Sequence, residues 1–253
     1  MAYYGNDLDV IYSIIEVEGV LYNKYPLRVG SGKEELLGPV DQPIVRIAGE
    51  PVIPGSSLKG VFRSYLERIA RSSGLPVCDP FSDEDKRRED EEGPCIICQI
   101  FGGGGVRDKR VGSHVVFFDA TPIGEAKVTY ITRSAIDRFR GGSRTGALFR
   151  VEVVEPGCEW SFKSLIYNID IIDCQPIPGV NDPYFKQKVR LLRLLFATLA
   201  KRGIQVGGIR STGYGLILLK PERTIVRKFK VEDLKLKEVF SGKLSDIMGG
   251  WSV

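Results

Sequence analysis

The chain has 253 residues, of which 43% are hydrophobic and 27% charged, so it can bury a full core; mostly disordered and collagen-like or mucin-like classes are excluded. Its net charge of +4 hides an asymmetry: residues 79–92 hold eight acids and three bases, and the rest of the chain therefore carries a net +9. A basic body with an acidic insertion points to a polyanionic partner. Five cysteines without a secretory signal imply a reducing cytoplasm, and no apolar run is long enough to predict a membrane span.

In chain order, residues 8–20 are rich in Ile, Val and Tyr and predict a first strand. Residues 21–53, punctuated by Gly and Pro, predict loop with short extended pieces. A helix then opens at Pro54-Gly55, with Ser56 or Ser57 as its N-cap and Leu58, Val61, Phe62, Tyr65, Leu66 and Ile69 forming one apolar stripe. The acidic stretch 79–92 reads as a flexible excursion ending at Gly93-Pro94-Cys95. Residues 114–119 predict a second strand, 161–171 a third, and 184–201 a second helix capped at Gly203.

Between them, residues 123–160 read as a long β-hairpin arm carrying Arg133, Arg138, Arg140, Arg144 and Arg150, with Gly141, Gly142 and Gly146 at its middle. Residues 207–219 are a glycine-rich turn running into a strand, followed by a charged segment, 228–237. The predicted fold class is α+β: a ferredoxin-like (RRM-like) βαββαβ core in one domain, 1–253, with insertions at about 74–112 and about 123–160.

Four groups of residues carry chemistry. The helix start exposes unpaired N–H groups, yet Lys59 stands in its first turn and Arg63 one turn on, a conflict that an anion such as phosphate resolves; otherwise this is a solvated basic face. In the second group, Gly207, Gly208, Gly213 and Gly215 free main-chain amides to approach a phosphate. There Arg210 supplies a charge-assisted fork, Ser211 and Thr212 supply hydroxyls, and Tyr214 supplies a stacking face. A tight turn that merely needs positive φ is the plainer reading.

In the third group, Cys95 and Cys98 form a CxxC knuckle; sixteen residues separate it from Cys78 and fifteen from His114. Three thiolates and an imidazole make a closed structural zinc site that would clip the acidic insertion to the core, although a lone His at a strand start also serves as a hydrogen-bonded core residue. Cys158 and Cys174 read as buried thiols. The fourth is Asp41 before Gln42-Pro43, on its own terms a turn residue.

Three stretches together resemble the RAMP superfamily of CRISPR-associated proteins, above all the backbone subunits of type III effector complexes: Gly38 to Arg46 with the Pro51–Gly60 element, His114 to Ala120, and Gly207 to Gly215. The resemblance runs over about residues 10–219. It implies a guide-RNA-binding subunit in which Ser56, Ser57, Lys59 and Arg63, and the glycine turn, hold the guide backbone. The arm, with Arg138, Arg140 and Arg144, would be a thumb folding over the guide–target duplex and kinking it.

It also implies that Asp41 cuts target RNA, as a base or as holder of a divalent ion (Mg2+ or Mn2+), with Glu34 and Glu35 close in sequence. Implied partners are the guide CRISPR RNA, target RNA, further copies of the chain in a filament and other subunits of the complex, all in the cytoplasm with no membrane. Two alternatives remain: a non-catalytic RNA-binding scaffold, and a guide-processing endoribonuclease, which a single histidine disfavours.

Overall fold

Ile15, Val17, Val20 and Leu21 are buried along strand β1, Ser13–Asn23, which lies at the centre of the molecule. The structure is a computed structural model that describes residues 8, 10–32, 42–79, 81–103, 111–178 and 180–251. The elements that follow are β2 (Arg46–Ile47), β3 (Glu50–Pro51), α1 (Gly55–Ser72), α2 (Asp83–Glu92), α3 (Ile96–Phe101) and β4 (Val115–Phe117). The arm strands are β5 (Val128–Ile136) and β6 (Ser143–Val154); next come β7 (Glu159–Tyr167), α4 (Phe185–Lys201), β8 (Ile204–Gln205) and β9 (Leu216–Leu219). The chain closes with β10 (Ile225–Glu232), β11 (Lys235–Lys243) and α5 (Leu244–Met248).

The main sheet runs β11-β10-β1-β7-β4, with every pair antiparallel. β7 pairs with β1 from Ile14↔Tyr167 to Tyr22↔Glu159. The other edge of β1 is shared: β10 takes residues 13–18, and β9, with β8 beyond it, takes residues 21–23. The helices α1 and α4 cover one face. Leu58, Phe62, Leu66 and Ala70 point inward from α1 at i, i+4, i+8 and i+12, and the Phe62 ring meets Phe117 of β4 edge-to-face at 5.1 Å. From α4, Val189, Leu192, Leu195, Phe196 and Leu199 join the same core. Among the described residues, no helix is long and apolar enough to cross a membrane.

Three expectations change. The acidic segment is the helix α2 rather than a flexible excursion. Ser82 Oγ accepts the Asp85 N–H at 3.2 Å, and Asp83, Glu84 and Asp85 sit in the first turn, where carboxylates complement the helix dipole. Neither Ser56 nor Ser57 caps α1; Pro54 is the cap residue, and the Gly55 N–H donates to Asp119 Oδ1 at 2.7 Å instead. The charged stretch 228–237 forms most of the β10–β11 hairpin, turning at Asp233 and Leu234, both with positive φ.

One buried charge fastens this hairpin to the body. The Lys228 ammonium donates to Asp170 at 2.8 Å and Asp173 at 2.6 Å, while Asp170 also accepts the N–H groups of Ile172, Asp173 and Gln175. Burial alone would lower the Lys228 pKa, but these two carboxylates hold it above its ordinary value. Lys228→Met strands Asp170 without its counter-charge and is expected to lower stability by about 3 kcal/mol in urea unfolding.

Candidate nucleic-acid interface and metal centre

The glycine turn is strapped onto the segment that leaves β1. The Gly208 N–H donates to the Arg28 carbonyl at 2.8 Å, and the Gly215 N–H donates to the Pro26 carbonyl at 2.8 Å. Gly207, at φ +84°, comes so near that a Cβ there would sit 2.0 Å from the Arg28 oxygen, which leaves glycine as the residue that fits. Gln205 braces the turn from within, its amide donating to the carbonyls of Arg210 (2.9 Å) and Tyr214 (3.2 Å). Arg210, Ser211 and Thr212 form an exposed 3₁₀ turn at its crest.

A groove of about 890 Å³ separates this turn from α1, lined by Tyr25, Tyr65, Arg68, Gln205, Arg210 and Ser211 among others. The arm reaches the same turn: the Arg133 guanidinium lies 4.8 Å from the Tyr214 ring centre and donates to Thr212 Oγ1 at 3.4 Å. Helix, turn and arm stem therefore meet on one side of the molecule.

The sequence reading missed Arg28. Its guanidinium lies against Gly208 and Gly30, and burial lowers its pKa. Its Nε is buried and has no hydrogen-bond partner among the described residues. An arginine held in a glycine cradle with a donor unmet is suited to a phosphate oxygen. The signal in the sequence was the run Arg28-Val29-Gly30-Ser31-Gly32 at the exit of a strand.

The predicted helix-start residues divide. Ser56, Ser57 and Lys59 do not line the groove. Burial, with Arg63 nearby, depresses the Lys59 pKa. Arg63 turns to the opposite side of α1, where its Nε donates to Glu67 (2.9 Å), Nη1 to the Gly102 carbonyl (2.8 Å) and Nη2 to Cys98 Sγ (3.3 Å). The charge conflict at the head of α1 is met by Asp119 there and by Glu67 and Cys98 at Arg63. Arg138, Arg140 and Arg144 stand exposed at the arm's end, around a tip ordered by Asp137, which accepts the N–H groups of Phe139 and Arg140. Phe139 at that tip is 99% exposed. Asp41, Glu34 and Glu35 lie outside the described residues.

Behind Arg63 is the thiol cluster. Cys78, Cys95 and Cys98 are all buried, with their sulfurs within 4.8 Å of one another; Cys78 and Cys98 are 3.3 Å apart, Cys78 and Cys95 3.5 Å. Cys95 heads α3, and its sulfur accepts the Cys98 N–H at 3.4 Å, a knuckle that aims both thiols the same way. Hydrogen bonds from Cys78, then Cys98, hold the Cys95 thiol far below its ordinary pKa. Three converging thiols with an arginine donating to one of them are suited to a soft cation such as zinc, the guanidinium offsetting the excess negative charge. His114 is not part of this group: it is buried, and its Nδ1 lies 2.9 Å from the Tyr167 carbonyl.

The chain is a member of the RAMP superfamily, whose family model matches residues 20–218. It is similar to the CRISPR system Cms endoribonuclease Csm3 of Methanocaldococcus jannaschii, 29% identical over 241 residues that cover 89% of this chain and 83% of that protein. It is also similar to the Csm3 of Enterococcus italicus, 27% identical over 236 residues, 90% of this chain and 100% of that protein. A shorter match joins it to the CRISPR system Cmr endoribonuclease Cmr4 of Pyrococcus furiosus: 41% identical over 75 residues, 29% of this chain and 25% of that protein.

Elemental analysis checks the thiol cluster. Purified protein is expected to hold about one zinc per chain, lost in a Cys95→Ser/Cys98→Ser variant together with thermal stability. A well-folded, metal-free preparation from zinc-replete cells would contradict it.

Proposed function

We propose that this chain is a guide-RNA-binding backbone subunit of a type III CRISPR interference complex, and that it cuts the bound target RNA at Asp41. The observation that carries this reading is that the glycine turn faces α1 across one groove and meets the arm stem through Arg133, with Arg28 packed beneath the turn and its buried Nε unpartnered among the described residues. The printed names of the relatives, Csm3 and Cmr4 endoribonucleases, support the same reading. We read the strand order β9-β1-β7-β4, with α1 and α4 as crossovers, as a ferredoxin-like core carrying two insertions: the zinc-clipped acidic one and the arm.

In this reading Arg28, Arg210 and the turn amides grip the guide backbone, and Tyr214, already under Arg133, adds an aromatic face. The arm, with Arg138, Arg140, Arg144 and exposed Phe139, lies over the guide–target duplex and contacts it through shape and charge, leaving sequence to base pairing. Copies of the chain assemble along the guide into a filament, beside other subunits of the complex.

For cleavage, the 2′-hydroxyl of the kinked target nucleotide attacks its own 3′-phosphate. A 2′-O–P bond forms, the P–O5′ bond breaks, the hydroxyl proton passes to the Asp41 carboxylate, and the departing 5′-oxygen takes a proton from water. The products are a 2′,3′-cyclic phosphate and a 5′-hydroxyl. In the alternative role, Asp41 would hold a divalent cation, which would supply charge neutralisation at the phosphate. The Nδ1 of His114 is engaged with a backbone carbonyl in the core, which counts against histidine-based guide processing.

In a reconstituted complex, Asp41→Ala is expected to slow target cleavage by at least about a hundredfold with target binding unchanged. Undiminished cleavage would leave a scaffold role only. Separately, Arg28→Ala and Arg210→Ala are each expected to weaken guide binding uniformly across sequences and to reduce its salt-dependence slope by about one. Unchanged slopes would remove these residues from the interface.

A further inference from the structure

The three sulfurs of the thiol cluster come from the loop after α1 and from the head of α3; α1 supplies none of them. Two arginines of that helix nonetheless reach the cluster. Arg71 Nη2 donates to the Cys78 main-chain carbonyl at 3.3 Å, and two turns earlier Arg63 Nη2 donates to Cys98 Sγ, also at 3.3 Å.

The Arg63 contact is fixed by its surroundings. Glu67, one turn on, takes the Nε, and the Gly102 carbonyl takes Nη1. Each of the side chain's nitrogens therefore has an acceptor inside the fold. Gly102, at φ +83°, turns the chain back over the cluster, and Gly103 follows against Cys98. A Cβ at Gly103 would stand 2.9 Å from the Cys98 Cβ and 3.0 Å from its sulfur, so the backbone itself closes on the thiol. Paired Gly103 and Val111 hydrogen bonds of 3.1 Å pin that turn. The Cys98 sulfur thus has a glycine backbone and a guanidinium as near neighbours.

Charge gives this arrangement a purpose. Three thiolates around a divalent zinc leave one negative charge over, in a place where no cysteine of the cluster is more than 5% exposed. A buried charge of that kind is costly without a counter-charge. One guanidinium brings the sum to zero. A fork already held at Nε and Nη1 also delivers Nη2 to the sulfur with little further ordering. The bond gains strength on loading, because Cys98 must give up its proton to ligate zinc, and a guanidinium bonds a thiolate more strongly than a thiol. A contact worth more in the loaded centre than in the empty one raises the affinity for the metal.

We infer that Arg63 belongs to the metal centre rather than to the RNA: it neutralises the charge that zinc leaves on the thiolates and so sets how tightly the metal is held. This rests on the reading of Cys78, Cys95 and Cys98 as a zinc site. It also separates Arg63 from the guide-binding role that the resemblance in sequence implies for it.

The test compares the full-length wild type with Arg63→Ala and Arg63→Lys by three measurements. Zinc is titrated in competition with a chromophoric chelator, Tm is measured in excess zinc and in excess chelator, and binding of single-stranded guide RNA is followed against salt. Arg63→Ala is expected to weaken zinc binding on the order of 10–100-fold and to shrink the rise in Tm that zinc gives. Its guide affinity and salt-dependence slope are expected to match wild type. Arg63→Lys, which keeps the charge and loses the fork, is expected to fall between the two in zinc affinity. If Arg63→Ala does not fold, Arg63→Lys decides: zinc binding weakened by at least about threefold supports the inference, and unchanged binding overturns it. Unchanged zinc affinity with a Tm lowered equally in zinc and in chelator makes Arg63 a brace of the fold and overturns the inference alone. A salt slope reduced by about one returns Arg63 to the RNA and also overturns it. Folded wild type that takes up no zinc overturns the metal-site reading and this inference with it.

Discussion

The close approach of the glycine turn to the segment leaving β1 is the constraint from which the rest of the interface follows. Two amide-to-carbonyl bonds, Gly208 to Arg28 and Gly215 to Pro26, lock the turn against that segment, and the space at Gly207 admits no side chain. Once the turn is there, Arg210 and Ser211 face α1 across the groove and Tyr214 lies where Arg133 can cover it. The same approach narrows the space around Arg28 and leaves its Nε without a partner among the described residues. A single backbone contact thus gathers charge from four separate stretches of chain.

Charge on α1 is sorted by side. Arg68 lines the groove, whereas Arg63 is committed to Glu67, a carbonyl and a cysteine sulfur on the far side. The thiol cluster thus also engages Arg63, a cation that would otherwise add to the basic field on this helix. Asp119 plays the corresponding part at the helix head. The basic body is in this way partitioned into charges satisfied internally and charges left facing solvent and the groove.

Much of this was legible in the sequence, where local pattern and tertiary outcome agree. The stripe of α1, the arm, α4 with Gly203 behind it, and the CxxC knuckle each have a signal within a few residues, and each is present. What escaped needed partners far along the chain. The cap of α1 comes from Asp119, 64 positions away from Gly55, so nearby serines were the natural expectation. Helix α2 was hidden because its composition reads as disorder, although Ser82 and the acids of its first turn are a start signal. The β10–β11 hairpin is largely exposed beyond Lys230 and turns without glycine, so neither alternation nor turn chemistry marked it. Arg28 and Arg63 gain their meaning from neighbours that the fold alone assembles.

The central claim, that helix, turn and arm stem form one RNA-gripping groove, is tested most directly by site-specific photocrosslinking. A photoreactive residue is placed in turn at positions 68, 133 and 210 of the guide-loaded complex, and the crosslinked guide nucleotides are mapped. The account predicts that all three positions capture the guide at the same or adjacent nucleotides, in common register along it. Capture from one position alone, or from three positions at unrelated nucleotides, would contradict it.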